Sequence, residues 1–491
     1  MSERVEWNSN LTFLLAMIGA AVGLGNIWRF PYVFFSNGQG AFLIPYIIAI
    51  LVLGLPFMLL EYSLGAKYNT SVLNTFKKVG DKYQYVGWAI MIISFLIVCY
   101  YLTIVCWDLN YFVFSFTKAW GTDPNAFFNS FLQSSPTPSL SGLTTIIPYI
   151  FVGVLILWTI TWLISHGNIN DGIGKFTTIF VPLLFVLGIG IAIYNMTLPG
   201  AWIGYMRFFE PDWSLLLNLD MWLAAFGQIL FTLSLGIGVV LTYSSHLPVG
   251  KSNLTKNACI VICANCGFEI INALGVFSVL GYMSYNTGLA FESLVTQGTG
   301  LAFIVFPQVF NILGGPGLIL GIAFFFCILI AGITTSISYL EPLADSISMK
   351  FDLSRKKSVS LLCIVGFLIS VIFTTGLGNF LITAFDTSLN NFALILLVFI
   401  QCVIFGYILG PEPLMEALNV NTLFKVGNWW KYIIKYILPV VLIFVWILGI
   451  IDSLQTADAA AILVYAIVIV VIIVSSYVLY RVKGKGEVIN G

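Results

Sequence analysis

Charged residues are scarce in this chain. Asp, Glu, Lys and Arg make up 9% of 491 residues, hydrophobic residues make up 59%, and the mean hydropathy is +0.99. A soluble globular domain does not have that balance; a polytopic membrane protein does. The 21 basic and 21 acidic residues cancel, so the whole-chain charge offers nothing to nucleic acid. Histidine is nearly missing: only His166 and His246 occur, both at segment ends. Cysteine is missing from the polar loops. All eight, Cys99, Cys106, Cys259, Cys263, Cys266, Cys327, Cys363 and Cys402, lie inside hydrophobic runs. That argues against a disulfide framework and for buried thiols acting as small apolar residues. Cys259, Cys263 and Cys266 have metal-like spacing on a helix, but no histidine stands near them. The sequence offers no nucleophile–base set, metal cluster or phosphate loop, which disfavours a membrane enzyme.

What the chain does have is apolar length. Runs separated by polar or Pro/Gly-rich breaks predict an all-α membrane protein of about twelve spans, at residues 11–35, 40–68, 86–118, 144–165, 175–195, 220–246, 256–284, 315–349, 359–376, 383–410, 433–453 and 459–481. Each is near the ~20 residues that cross a bilayer. Lys67, Lys77, Lys78, Lys82, Lys175, Lys251, Lys256, Lys350, Arg355, Lys356, Lys357, Lys425, Lys431, Lys435, Arg481, Lys483 and Lys485 fall near alternate segment ends and, with Arg4, mark one side. Lys118, Arg207, Asp123, Glu210, Asp212 and Glu292 mark the other. The positive-inside rule makes the basic side cytoplasmic, with both termini inside a cell membrane. The first run is too long for a cleavable signal peptide and carries Asn26 and Arg29 at its far end. A second apolar piece in the 285–314 loop, residues 300–307, is too short to cross and reads as a re-entrant or capping helix.

The first span contains a contradiction. Gly19, Gly23, Gly25 and Asn26 interrupt it at membrane depth. Glycine loses the most conformational entropy in a helix. Unwound backbone at that depth is tolerated only where it is buried in protein or lines a cavity. A broken helix whose freed carbonyls face a ligand follows. Gly19 and Gly23 also fit the G-x-x-x-G packing pattern; Asn26, Arg29 and Pro31 favour a site. The sixth span repeats the oddity, with Thr232-Leu233-Ser234-Leu235-Gly236-Ile237-Gly238 just after Gln228. Spans one and six each open a set of five, so the two sets run in opposite directions. Paired interrupted helices at corresponding positions point to a transporter's binding site.

Other polar residues at membrane depth are costly, ~2.5–3.5 kcal/mol for a central charge. Span three has Tyr100 and Tyr101, span seven has Asn265 and Glu269 on one face, span eight has Thr334, Thr335 and Ser336, and span ten begins with Asp386. Singly each reads as an interhelical hydrogen bond; jointly they indicate one shared cavity. Sodium prefers several oxygen ligands. Thr334 and Thr335, the Ala331 carbonyl and the unwound Gly19 and Val22 carbonyls would form a neutral five-oxygen cage. Asn26 and Thr232 with the Ala21 carbonyl would form a second.

The run Ala21-Val22-Gly23-Leu24-Gly25-Asn26-Ile27-Trp28-Arg29-Phe30-Pro31 resembles the first-helix signature of the neurotransmitter:sodium symporter family. So do Gly40-Ala41-Phe42-Leu43-Ile44-Pro45-Tyr46, Gln228-Ile229-Leu230-Phe231-Thr232-Leu233-Ser234-Leu235-Gly236 and residues 300–307. Arg4-Val5-Glu6-Trp7 looks like the family's amino-terminal latch. The likeness covers residues 3–410, and more loosely the last two spans.

The resemblance implies a five-plus-five inverted repeat, like the leucine transporter, with helices 1 and 6 unwound at mid-membrane, in the bacterial and archaeal amino-acid branch. It divides the chain into a latch (1–10), two five-helix repeats (11–195 and 220–410) and a terminal pair of helices (411–491). It implies uptake of an amino acid driven by about two sodium ions through alternating access. One ion would take Gly19, Val22, Ala331, Thr334 and Thr335. The other would take Ala21, Asn26, Thr232, Asn265 and the substrate carboxylate. The substrate would lie against Ala21, Gly23, Gly25 and Thr335, with Tyr101 on its carboxylate, and Ile97, Ile104, Phe231, Ser234, Ile237 and Tyr339 would line the side-chain pocket. Arg29 with Asp386 would form the outer gate. Gly172 and Pro182 match a Gly-x₉-Pro pattern linked to cytoplasmic opening. Chloride-dependent members hold the anion near residues matching Tyr46, Gln228 and Thr232, with Ser where Glu269 stands, so Glu269 implies a fixed substitute for chloride.

The sequence departs from the family in two places. The inner gate pairs the amino-terminal Arg with an Asp whose aligned position is Met349; Asp345, one turn earlier, is the nearest acid for Arg4. The pocket has Ile237 where amino-acid members often carry Phe, and Tyr339 where some carry Ile. Two rivals remain, a sensor on the same fold and a channel. Two complete sodium cages argue against a transport-silent amino-acid sensor, and gates on both sides argue against a channel.

Overall fold

The structure, a computed structural model, describes residues 5–133, 140–248, 250–296 and 298–484. Among the described residues, ten helices are long and apolar enough to cross a bilayer. They are the second to fifth spans (Gly40–Tyr68, Asp81–Ser115, Pro148–Ser165 and Asn170–Met196), the seventh to tenth (Leu254–Thr287, Gly315–Phe351, Arg355–Thr374 and Gly378–Ile408), and the last two (Asn428–Thr456 and Ala459–Arg481). The first span is a pair, Asn10–Ala21 and Gly25–Ser36, bent by 53° at its break. The sixth is Leu219–Thr232 followed, after an unwound stretch, by Val239–Ser244. These twelve match the apolar runs of the sequence in number and order. The segment Leu301–Ile312 is too short to cross, as its length predicted. It lies over the bundle, with Phe306 stacked on Phe324 at 4.1 Å and Phe303 against Tyr111 at 4.9 Å.

Local chemistry sets the helix ends. Ser9 caps the first span by accepting from the Thr12 N–H at 3.1 Å, and Asn253 caps the seventh by accepting from the Lys256 N–H at 2.9 Å. Gly288, at φ +74°, ends the seventh in the left-handed conformation. Pro31 lies inside the helix Gly25–Ser36, directly after a widened turn in which the Phe30 N–H bonds the Gly25 carbonyl five residues back.

The centre is distinguished from the rim by burial. In the most apolar windows of spans three and eight, 89% and 72% of residues are buried; in the last span only 17% are. Leu463, Val470, Ile473 and Val474 of the last span face outwards. Water would penalise that surface and hydrocarbon does not. Spans three and eight therefore form the inner wall against which the two broken spans pack.

On the basic side the chain start is tied down. Trp7 is buried; its N–H donates to the His246 carbonyl at 2.9 Å and its indole Nε1 to the Tyr243 carbonyl at 2.8 Å. Asn170 accepts from the Asn8 N–H and donates to the Glu6 carbonyl, at 2.9 and 2.7 Å. Arg4 lies outside the described residues. Asp345 is half-buried, close to the guanidinium of Arg355. That guanidinium grips Glu341 through both terminal nitrogens, at 2.5 and 2.6 Å.

Candidate ion and substrate site

The first break is a diversion of backbone donors. In an unbroken helix the Gly23 N–H would bond the Gly19 carbonyl, Leu24 that of Ala20, and Asn26 that of Val22. Here the Gly23 N–H goes to Asn26 Oδ1 at 2.9 Å, the Leu24 N–H reaches the Tyr101 hydroxyl at 3.4 Å, and the Asn26 N–H goes to the Gly23 carbonyl at 3.2 Å. Val22 turns out of the helix with ψ 100°. The carbonyls of Gly19 and Val22 thus lose the donors an intact helix supplies. These are the two backbone oxygens assigned to the first sodium cage.

Span eight supplies the opposing oxygens. Thr334 is buried, and a Cβ built on Gly19 would lie 3.4 Å from its Cβ. Its hydroxyl donates back along the helix to the Ala331 and Ile330 carbonyls, at 3.0 and 3.1 Å, which leaves its lone pairs facing outward. The Thr335 hydroxyl is buried with no hydrogen-bond partner. A Cβ on Gly23 would stand 3.0 Å from that oxygen and 3.3 Å from the Tyr101 hydroxyl. Gly23, Thr335 and Tyr101 therefore converge, and only glycine leaves the space between them open.

Asn26, Thr232 and Asn265 meet as expected. Asn26 Nδ2 lies 3.1 Å from Thr232 Oγ1 and 2.9 Å from Asn265 Oδ1, and Asn265 Nδ2 donates to Thr232 Oγ1 at 2.9 Å. With this orientation the Asn26 oxygen faces Gly23. A cation bound here requires the amide to rotate and bring that oxygen to the cluster, beside the carbonyl of Ala21 at the helix end.

In the second break Ser234, Gly236 and Gly238 all take positive φ, +52°, +79° and +83°. Ser234 Oγ lies 2.9 Å from the Ala20 carbonyl and 2.9 Å from the Tyr339 hydroxyl. Phe231 packs so closely on the first span that a Cβ on Gly25 would meet its ring at 2.5 Å. Ile97 and Ile104 lie one turn to either side of Tyr101 on span three, and Ile237 is buried within the break.

Glu269 is buried and accepts from the Tyr46 hydroxyl, from Gln228 Nε2 and, at 3.2 Å, from Thr232 Oγ1. The structure thus brings Glu269 together with the three residues named beside it from the sequence. The outer pair is not closed. Asp386 is held by Tyr100 at 2.6 Å and Asn390 at 2.9 Å. Arg29 donates to Gln228 at 2.6 Å and stacks on Phe231 at 4.8 Å. No ion pair joins Arg29 to Asp386 among the described residues.

Sequence reasoning missed three features. Glu61 is fully buried and its Oε2 accepts from the Gly236 N–H at 3.2 Å, while Gln401 donates to the Gly236 carbonyl at 3.1 Å. The second break is thus held from spans two and ten. Asp108 is fully buried on span three with neither oxygen partnered. The Glu341–Arg355 pair ties span eight to the start of span nine. An acid inside an apolar run was the available signal for Glu61 and Asp108.

The sequence profile of the sodium:neurotransmitter symporter family matches residues 4–137 and 139–483. The chain belongs to that family. Among similar proteins, an uncharacterized sodium-dependent transporter of Methanocaldococcus jannaschii is 38% identical over 491 residues, covering all of this chain and 99% of its own length. Sodium- and chloride-dependent glycine transporter 2 of Xenopus laevis is 28% identical, over 90% of this chain and 64% of its own length. The crystal structure of MhsT in complex with L-phenylalanine matches with a TM-score of 0.77 at 30% identity, covering 90% of this chain and 99% of MhsT. This symporter is therefore a sodium-coupled membrane transporter, not an enzyme. Its all-α architecture with two interrupted helices is that of the family.

Proposed function

We propose that this symporter imports an amino acid into the cell together with about two sodium ions, by alternating access and without chloride. The observation that carries the reading is the convergence of Gly23, Tyr101 and Thr335, where a buried hydroxyl has no partner in the protein. A buried hydroxyl left unsatisfied costs ~1–3 kcal/mol, and a cation beside it removes that cost. The first ion takes the freed carbonyls of Gly19 and Val22 with Ala331, Thr334 and Thr335. The second takes Ala21, Asn26, Thr232 and Asn265 and is completed by the substrate carboxylate, which the Tyr101 hydroxyl also engages. Gly23 leaves space and no charge of its own, so a carboxylate can sit against the break, Tyr101 and a sodium ion, and nothing there pairs with a bare amine. The amino acid bound in the MhsT structure supports the same class.

Two polar assemblies lie on either side of this site. Arg29 and Asp386 close over it from outside once the substrate is bound. On the basic side, taken as cytoplasmic, the docked Trp7 and the Arg355–Glu341 pair form the seal that opens to release cargo. Asp345 belongs to the same face, and Gly172 and Pro182 give span five its point of bending. Glu269 supplies a fixed negative charge beside the second ion, where other members bind chloride.

Uptake into proteoliposomes, over a panel of amino acids, tests the reading. Accumulation should require an inward sodium gradient and persist when gluconate replaces chloride. A decarboxylated analogue should compete poorly with its parent amino acid. Equal competition would refute the carboxylate site, and uptake indifferent to sodium would refute the coupling.

A further inference from the structure

Resting on the amino-acid reading above, we infer that the side-chain end of the pocket is a pure hydrogen-bond acceptor, so that the preferred substrate carries a hydroxyl or amide N–H on a short side chain. The argument is a count of protons. Ser234 Oγ touches two groups, the Ala20 carbonyl and the Tyr339 hydroxyl, each at 2.9 Å. A carbonyl only accepts, so the single proton of Ser234 goes to Ala20. The Tyr339 proton must then go to Ser234. Both protons are spent inside the pair, and what remains towards the pocket is lone pairs.

The arrangement is fixed from several directions. The Ala20 carbonyl needs a donor because its helical one, the Leu24 N–H, is diverted to Tyr101. Ser234 is held in the left-handed conformation. The carbonyl of Tyr339 accepts from Ser94 Oγ at 2.7 Å, which fixes span eight against span three at this level. The pair is also placed to meet a side chain. Thr335 marks the backbone end of the substrate, and Tyr339 lies one turn further on the same helix face, about 6 Å along the axis. Tyr339 and Ser234 are both buried beside the second break, among the residues assigned to the side-chain pocket. The remaining wall, Ile97, Ile104, Ile237 and Phe231, is apolar. A carboxylate side chain would meet only lone pairs there. An apolar side chain of the same shape would displace water and leave the acceptor unpaired.

Sodium-dependent binding to the purified symporter tests this with pairs matched in shape: threonine against valine, and glutamine against glutamate. Threonine should bind roughly ten-fold tighter than valine, the size of one hydrogen bond, and glutamine should exclude glutamate. Tyr339→Phe removes the Tyr339 oxygen and leaves only the Ser234 oxygen as acceptor, so the threonine-to-valine ratio should fall. Ser234→Ala frees the Tyr339 proton, turns the acceptor into a donor, and should raise glutamate binding relative to glutamine. Each readout is a ratio within one protein, so partial misfolding of a variant does not imitate it. Valine binding as tightly as threonine in the native protein, or ratios unmoved in both variants, would overturn the inference. Sodium-dependent binding of no amino acid at all would instead overturn the amino-acid reading itself.

Discussion

Thr335→Val is the most discriminating single change, because structure and function predict opposite signs for it. Valine keeps the shape of threonine and removes only the hydroxyl. That hydroxyl is buried and makes no hydrogen bond of ordinary geometry, with the Tyr101 hydroxyl its polar neighbour across Gly23. If it served packing alone, its removal would stabilise the fold by up to ~1–3 kcal/mol, the cost of an unsatisfied buried polar group. If it is a sodium ligand, the variant loses one of five neutral oxygens around a cation. An interaction with a charged partner is worth ~1.5–3 kcal/mol, which corresponds to a sodium affinity weaker by about 10- to 150-fold. Thermal unfolding of purified protein across a sodium titration separates the two. Without sodium the variant should unfold at the native temperature or above. In sodium, stabilisation follows the ratio of concentration to Kd; a site filled at a hundred times its Kd contributes ~2.7 kcal/mol. The variant should lose most of that at the same concentration and regain it only at much higher sodium. An unchanged midpoint for sodium would refute the ligand role. A large loss of stability without sodium would show that the hydroxyl has a structural partner after all.

Three further outcomes are expected. Glu269→Ser removes the carboxylate from Tyr46, Gln228 and Thr232, so uptake should become chloride-dependent; a native protein that already requires chloride would contradict the role of Glu269. Asp386→Ala should slow uptake several-fold while leaving sodium-induced stabilisation largely intact, since Asp386 touches Tyr100 and Asn390 but no cage residue; normal uptake rates would remove it from the gate. Gly204→Ala places a Cβ 1.9 Å from the Phe277 carbonyl, where backbone must move, so the melting temperature should fall as for an overpacked core, ~1–3 kcal/mol; an unchanged melting curve would show that this helix contact is loose.

Periodicity and composition were enough for everything that depends on local free energy. The twelve apolar runs had to be helices, because no other open structure satisfies its backbone in hydrocarbon. The breaks at Gly23 and around Gly236 were legible because glycine weakens a helix wherever it stands. The pairing of Asn26 with Thr232 was legible because polar side chains at one depth, on helices that enclose one cavity, have few other partners; Asn265 joined them only through the family resemblance. Three-dimensional packing decided the rest. That Gly19 and Val22 lose their donors depends on Asn26 folding back and on Tyr101 arriving from span three. That Arg29 sits on Gln228 and Phe231, and not on Asp386, depends on how far the two outer elements stand apart. That Glu61 holds the second break depends on span two crossing the sixth at that level. Apart from the local Asn26–Gly23 contact, the deciding hydrogen bonds link residues far apart in the chain. Sequence can announce that a costly polar group needs a partner, but which partner it finds is set by helix crossings, and those arise from the packing of the whole bundle.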